Sequence, residues 1–129
     1  MKHIKNNKGQ SLVEFTMILP LVLLILMGIL TFGIMLNTYL TLSHISKEGA
    51  RMGALGESDA DIIAKMIDIS SALDHTRLDI EINPVQGSRS SGDTVTVSSE
   101  YQFQVIVPII SNIVGDVVSL EAQTSMRVE

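Results

Sequence analysis

Hydrophobic and polar positions divide the chain sharply. From Phe15 to Ser46 there is no Asp, Glu, Lys or Arg, and Phe15 to Leu36 (FTMILPLVLLILMGILTFGIML) is almost unbroken apolar sequence. As a helix, those roughly 22 residues extend about 33 Å, which matches the ~30 Å hydrocarbon core of a bilayer. A soluble core helix keeps a polar face, and this run has none. The pattern therefore predicts a membrane-spanning helix. Beyond it, Leu42, Ile45, Gly49 and Met52 recur at 3–4–3 spacing, which predicts that the helix continues past the bilayer with one apolar stripe. Gly49 and Gly53, with Ala50 and Ala54 beside them, leave that face smooth. Two readings follow. Glycines at about 1 kcal/mol each mark a loosening helix end by default, or they permit close docking on a sheet or another subunit.

The pattern then changes. Gly56-Glu57-Ser58-Asp59 breaks the chain, and Ser58 with Asp61 resembles a helix cap. Ile62, Ile63, Met66, Ile67 and Leu73 predict an amphipathic helix closed by Asp74-His75. Period-2 alternation follows in three places: Leu78, Ile80 and Ile82; Val95, Val97, Ser99, Tyr101, Phe103 and Val105; and Val118 through Val128. Each run has one apolar face, so the economical arrangement is an antiparallel sheet covered on one side by helix. Pro108 to Gly115 (PIISNIVG) is an unusually apolar connection. Core packing is its default reading, and a short helix, a membrane-touching tip and a subunit contact are the alternatives. The expected fold is thus membrane-anchored α+β: a long N-terminal transmembrane helix, then a small domain with one short helix and a three-stranded antiparallel sheet. The expected divisions are a basic leader over 1–9, the helix with its extension over 10–54, and the small domain over 55–129.

Charge orients the span. Lys2, Lys5 and Lys8 precede it, and no acid occurs before Glu14. The positive-inside rule then places the N-terminus in the cytoplasm and the small domain outside, in a single-pass protein of the cytoplasmic (inner) membrane. A cleaved secretory signal would have an apolar run of about 7–15 residues ending at a small-residue site, and this run is longer and lacks such a site. An uncleaved signal anchor stays open. The net charge is −5 over 129 residues, and beyond the leader six Lys/Arg stand against fourteen Asp/Glu, so the body is acidic, which argues against nucleic acid as a partner. Without cysteine there is no disulfide framework and no thiolate zinc site. Pro20 removes a helical N–H from within the span, which predicts a kink and leaves the Thr16 carbonyl to be served locally by its own hydroxyl or by neighbouring groups.

Catalytic chemistry finds little support. His3, His44 and His75 are scattered without second ligands at metal spacing, and His44 reads as an interfacial imidazole near the membrane exit. The segment GSRSSG over Gly87–Gly92 reads as a flexible turn, not a phosphate loop. No serine has an evident His and Asp partner in a known motif. Asp59, Asp61 and Asp68 read as a solvated helix face. The expectation is a protein with no enzymatic activity, no cofactor and no metal.

One acid stands out at the mouth of the apolar run, Glu14 in KGQSLVEF. A carboxylate deep in a bilayer costs about 2.5–3.5 kcal/mol, and less near the interface, so it calls for a partner or a purpose. Lys8-Gly9-Gln10-Ser11-Leu12-Val13-Glu14-Phe15 resembles the processing site of type IV prepilins, specifically the Flp/TadE branch: a basic leader, a glycine, cleavage, a glutamate at the fifth mature position and then an aromatic. The likeness continues through the proline-interrupted apolar run to Lys47-Glu48-Gly49-Ala50-Arg51, which is similar to the REGAR-like string of the TadE-like family with Lys in the first place. Thr124 to Glu129 also looks like the family's ending. The resemblance is strong over residues 8–54 and one of layout beyond.

It implies cleavage between Gly9 and Gln10, where a glycine lets a membrane peptidase approach the backbone. It also gives Glu14, with Phe15 beside it, an assembly role. The new α-amine at Gln10 is cationic, and Glu14 one turn later is within reach of that amine or of a neighbouring subunit's. Geometry leaves that choice open; the family favours the neighbour. The implied role is a minor pilin or pseudopilin of a tight-adherence (Tad, Flp-type) pilus. The implied partners are the bilayer, a prepilin peptidase, a TadF-like minor pilin, the Flp major pilin and the Tad assembly platform. A permanently tethered, uncleaved envelope adaptor is the alternative.

Overall fold

A computed structural model describes residues 7–129; Lys2, His3 and Lys5 of the leader lie outside the described residues. One helix dominates. α1 runs unbroken from Asn7 to Ala54, 48 residues with Pro20 inside it, and so extends roughly 72 Å. Its most apolar 18-residue window has a mean hydropathy of 2.7, and no residue of that window is buried by the rest of the protein. By length and composition α1 can cross a membrane. Four threonines on it return their hydroxyls to carbonyls one turn back: Thr16 to Leu12, Thr31 to Met27, Thr38 to Ile34 and Thr41 to Asn37, at 2.7–3.0 Å. Thr16 therefore serves the Leu12 carbonyl rather than the one that Pro20 leaves free. The helix ends where Gly56, at φ +86°, takes the left-handed turn that a side chain would resist.

The small domain follows the expected plan. α2 (Asp59–Ile69) is capped by Ser58, whose hydroxyl oxygen accepts from the Asp61 N–H at 3.2 Å. It stops at Ile69, short of the expected end at Asp74-His75. The Ser70 hydroxyl donates to the Ile67 carbonyl at 3.1 Å, a local bond that competes with helix propagation, and a 3₁₀ turn covers His75–Arg77. Leu73 reaches the core from the intervening turn instead. β1 (Leu78–Asn83), β2 (Thr94–Gln104) and β3 (Val117–Arg127) form an antiparallel sheet in the order β1-β2-β3. Ile80 faces Ser99 across β1–β2, and Ser99 faces Ala122 across β2–β3.

The core lies where the outer third of α1 and the face of α2 meet one side of this sheet. Leu42 and Ile45 of α1, Ile62 and Met66 of α2, and Val95 and Val97 of β2 are completely buried. Side chains of that kind contribute about 1.5–3 kcal/mol each when buried. The two glycines decide how closely the layers approach. A Cβ on Gly49 would lie 2.6 Å from Met66 Sδ and 3.1 Å from Val97 Cγ1, and one on Gly53 would lie 3.1 Å from Val95 Cγ2. The default reading of a loosening helix end is therefore wrong. These glycines are a docking seat for the sheet and α2.

Two further expectations need correction. Pro108–Val114 forms a short helix, α3, with no buried residue, so the apolar connection is not core. The turn Gly87–Gly92 is not loose throughout. Arg89 within it is only 7% exposed; its Nε donates to the Pro84 carbonyl at 2.9 Å, and its Nη2 pairs with Asp59. Asp59 also accepts from the Gln86 N–H at 2.9 Å, so it is a clamp between α2 and this loop and not a solvated residue. Asp61 and Asp68 are exposed as expected.

Candidate processing and assembly site

The residues singled out from the sequence fall into two groups on α1. The first is at its inner end. Gly9 and Gln10 lie in the opening turns of the helix, both exposed, with nothing within 4 Å of where a Gly9 side chain would start. The peptide bond between them is thus accessible but helical. Gly9 weakens that turn by about 1 kcal/mol relative to Ala, and its position in the opening turns spares it the full i→i−4 ladder.

Gln10 and Glu14 are already in contact. The Gln10 side-chain amide donates to Glu14 Oε1 at 3.2 Å, across one helical turn. Among the described residues Glu14 forms no ion pair; the salt bridges lie further along the chain. Phe15, 63% exposed, joins Asn7, Lys8, Ser11 and Leu12 around a shallow open groove on this end of the helix. Lys8 is the described cation nearest in sequence. Pro20 lies five to six residues further on, within a stretch whose side chains are all exposed.

The second group, Glu48 to Arg51, sits at the other end, roughly 50 Å from Glu14 along the axis. The structure does not bring the two groups together. Gly49 and Ala50 are buried against the sheet, while Glu48 and Arg51 pair at 3.8 Å on the exposed rim. An exposed pair of this kind contributes only a few tenths of a kcal/mol. The string is therefore a seat of small residues flanked by charges that stay in water, and its chemistry is packing.

Sequence reasoning missed a polar link at the centre of that seat. Ser46 Oγ and Ser99 Oγ are 2.6 Å apart, both fully buried. Ser46 also lies 3.1 Å from the Ala122 carbonyl, and Ser99 lies 3.2 Å from the Leu42 carbonyl. Three contacts share two hydroxyl protons, so the chain runs in one direction at a time: Ser46 to Ser99 to Leu42, or Ser99 to Ser46 to Ala122. Either way, no buried side-chain polar atom is left without a partner among the described residues. The signal was present in the alternation of β2, where Ser99 occupies an inward position among valines and aromatics.

Among the described residues no cluster of His, Asp and Glu has the arrangement of a metal site. The one carboxyl with a distinct shift is Asp74. The Thr76 hydroxyl and then the Thr76 N–H donate to it, and they hold it below the ordinary value of 3.8 in an exposed turn.

Comparison with known proteins gives one finding. The model of the TadE family, described as TadE-like protein, matches residues 9–51, from the glycine of the predicted cleavage site to the arginine that closes the rim pair. The match contains both groups of residues and stops before α2, so the sheet and the Thr124–Glu129 ending lie outside it. No curated protein and no solved structure matches the chain.

Proposed function

With residues 9–51 a TadE-like segment, we propose that the chain is a minor pilin or pseudopilin of a tight-adherence pilus, cleaved after Gly9 and held by α1 in the cytoplasmic membrane until assembly. The supporting observation is the contact between Gln10 and Glu14 at the exposed end of α1. Cleavage converts the Gln10 backbone nitrogen into an ammonium one turn from a carboxylate, at the edge of a low-dielectric medium. There the attraction between opposite charges is several-fold stronger than in water. The pair is satisfied within one chain, or more productively between chains, where the Glu14 of an incoming subunit meets the amine of a subunit already in place and sets the axial register of the two helices.

On this reading the bare apolar shaft, Leu12 to Leu36, exchanges lipid for the helices of other pilus subunits. Its partners are the major Flp pilin and a TadF-like companion, with a prepilin peptidase and the assembly platform acting before and during incorporation. The small domain lies outside the membrane. The protein's role is structural: it contributes helix packing and one register-setting charge and has no enzymatic step. An uncleaved envelope adaptor would share the fold and lack the amine.

The mature N-terminus separates the two. Intact-mass spectrometry of protein from native membranes with working pilus machinery gives a chain beginning at Gln10, as the free amine or as its cyclised form. A chain retaining Met1 or losing only Met1 leaves the adaptor reading.

A further inference from the structure

The apolar connection between β2 and β3 has no place in the core, and its position along α1 says what surrounds it. We infer that this tip, Ile106 to Gly115, is a second membrane contact that dips into the outer leaflet beside α1, with the exposed Asp116 at its neck. The inference rests on the membrane-span reading above.

The level of the tip is fixed by α1. Ile110 of α3 packs on α1 at Gly28, where an added Cβ would lie 3.7 Å from Ile110 Cδ1. If the hydrocarbon begins at Phe15, immediately after Glu14, a ~30 Å core ends near residue 35, and Gly28 lies roughly 10 Å inside it. Sliding the helix outward until the tip clears the hydrocarbon would carry Glu14 about 10 Å into it and bring Lys8, present until cleavage, to its edge. Sliding it inward only sinks the tip further. Every placement that keeps those two charges at the inner interface leaves α3 at the depth of lipid chains.

The side chains agree with that depth. From Tyr101 to Gly115 there is no Asp, Glu, Lys or Arg. Ile106 is 86% and Ile113 80% exposed, and Ile109, Val114 and Val117 are each more than half exposed. Isolated apolar residues on a surface need no explanation, but this group is contiguous in the chain and sits at one end of the sheet. The backbone of the tip is largely closed on itself. The Val105 N–H donates to the Asp116 carbonyl at 2.9 Å across its neck, the Ser111 N–H to Val107 at 2.9 Å, and the Ser111 hydroxyl to Pro108 at 2.9 Å.

Charge returns at the rim. Arg77, hydrogen-bonded to Gln104 at 2.8 Å and paired with Asp74, lines the same groove as Ile34 and Thr38 of α1, about 9 Å above Gly28 and at the level where headgroups begin. A polar rim, with Arg77 paired to Asp74 and Asp116 at the neck, over an apolar tip that reaches about 5–10 Å below it fits a contact with the membrane interface. With α1 crossing the bilayer and the tip resting in one leaflet, the small domain would have its orientation about the helix axis restricted before any other subunit arrives.

The chain lacks cysteine, so single labels are clean. Full-length Ile113→Cys, Ile106→Cys, Val22→Cys and Ser88→Cys proteins would be labelled with an environment-sensitive nitrobenzoxadiazole dye. They would then be reconstituted into phosphatidylethanolamine–phosphatidylglycerol vesicles with and without lipid carrying a doxyl group on the acyl chain. The expected result is loss of fluorescence to doxyl lipid and protection from iodide at Ile113, Ile106 and Val22, with the reverse at Ser88 in the far loop. Iodide quenching at Ile113 and Ile106 equal to that at Ser88, with Val22 still quenched by lipid, would overturn the tip and leave the span intact. Escape of Val22 from the doxyl lipid would overturn the span and the tip together. Protection of Ile113 from both quenchers, with disulfide-linked dimers forming through unlabelled Ile113→Cys, would overturn the lipid assignment in favour of a second copy.

Discussion

α1 is a single helix with two different surfaces. Its N-terminal part, from Leu12 to Leu23, is mostly Leu, Ile, Val, Met and Phe, interrupted by Glu14, Thr16 and Pro20, and all of it is exposed. Its outer end carries Ser46, Gly49, Ala50, Gly53 and Ala54 toward the sheet, all buried. Bulky residues suit a surface whose large side chains interdigitate with a neighbour at ordinary helix distances. Small residues suit one fixed partner approached closely, and here that partner is the chain's own sheet and α2. The same Gly-x-x-x-Gly spacing that would pair two helices within lipid instead seats a helix on a sheet outside it. What distinguishes the two halves is whether the partner is already within the chain.

That contrast can be broken by the same substitution made twice. Gly49→Val forces branched carbons into Met66 and Val97 and is expected to lower the stability of the small domain by about 1–3 kcal/mol. Gly33→Val, on an exposed side of α1, meets nothing within 4 Å and is expected to leave that stability unchanged. Thermal unfolding of both proteins in lipid nanodiscs is the comparison. Equal behaviour would mean that α1 does not dock as described.

The serine link sharpens the same point at smaller scale. Ser46→Ala and Ser99→Ala each remove one hydroxyl from a shared chain and should each cost about 0.5–1.5 kcal/mol. The double variant should cost less than the two losses together, since both report the same contact. Strict additivity in a double-mutant cycle would show that the hydroxyls act separately.

The smallest effect concerns pH and lies away from α1. Asp74, held below 3.8 by Thr76, contributes stability that is fully present above the unfolded value and is lost as pH falls through the lower folded value. Thr76→Ala removes the hydroxyl donor and keeps the N–H, so the Asp74 titration followed by NMR should move up toward 3.8. An unmoved titration would assign the shift to another neighbour.

Much of this was legible in advance, for physical reasons that differ by region. The long apolar helix was readable because it is apolar on every face over more than 20 residues, a signal that local detail does not blur. The strands were readable because Val95, Val97 and Tyr101 keep strict alternation, and α2 because Ser58 and Asp61 mark its start. Its end was not readable, since Leu73 continues the apolar pattern past the point where Ser70 turns the backbone. The apolar tip looked like core because composition does not say which elements a segment reaches. Arg89 looked like part of a loose turn because its partner, Asp59, is distant in sequence. The default reading failed at Gly49 for the same reason: its neighbours Met66 and Val97 come from two other elements, and only the assembled domain shows that a side chain there has no room.

The central claim is that Glu14 on the bare half of α1 acts in assembly and has no part in folding the small domain, which lies at the other end of the helix. Pilus counts on cells carrying Glu14→Ala test it most directly, scored alongside the amount of mature protein in the membrane. The account predicts undiminished protein beginning at Gln10 and clearly fewer pili. Normal pilus counts with that same mature protein would contradict it.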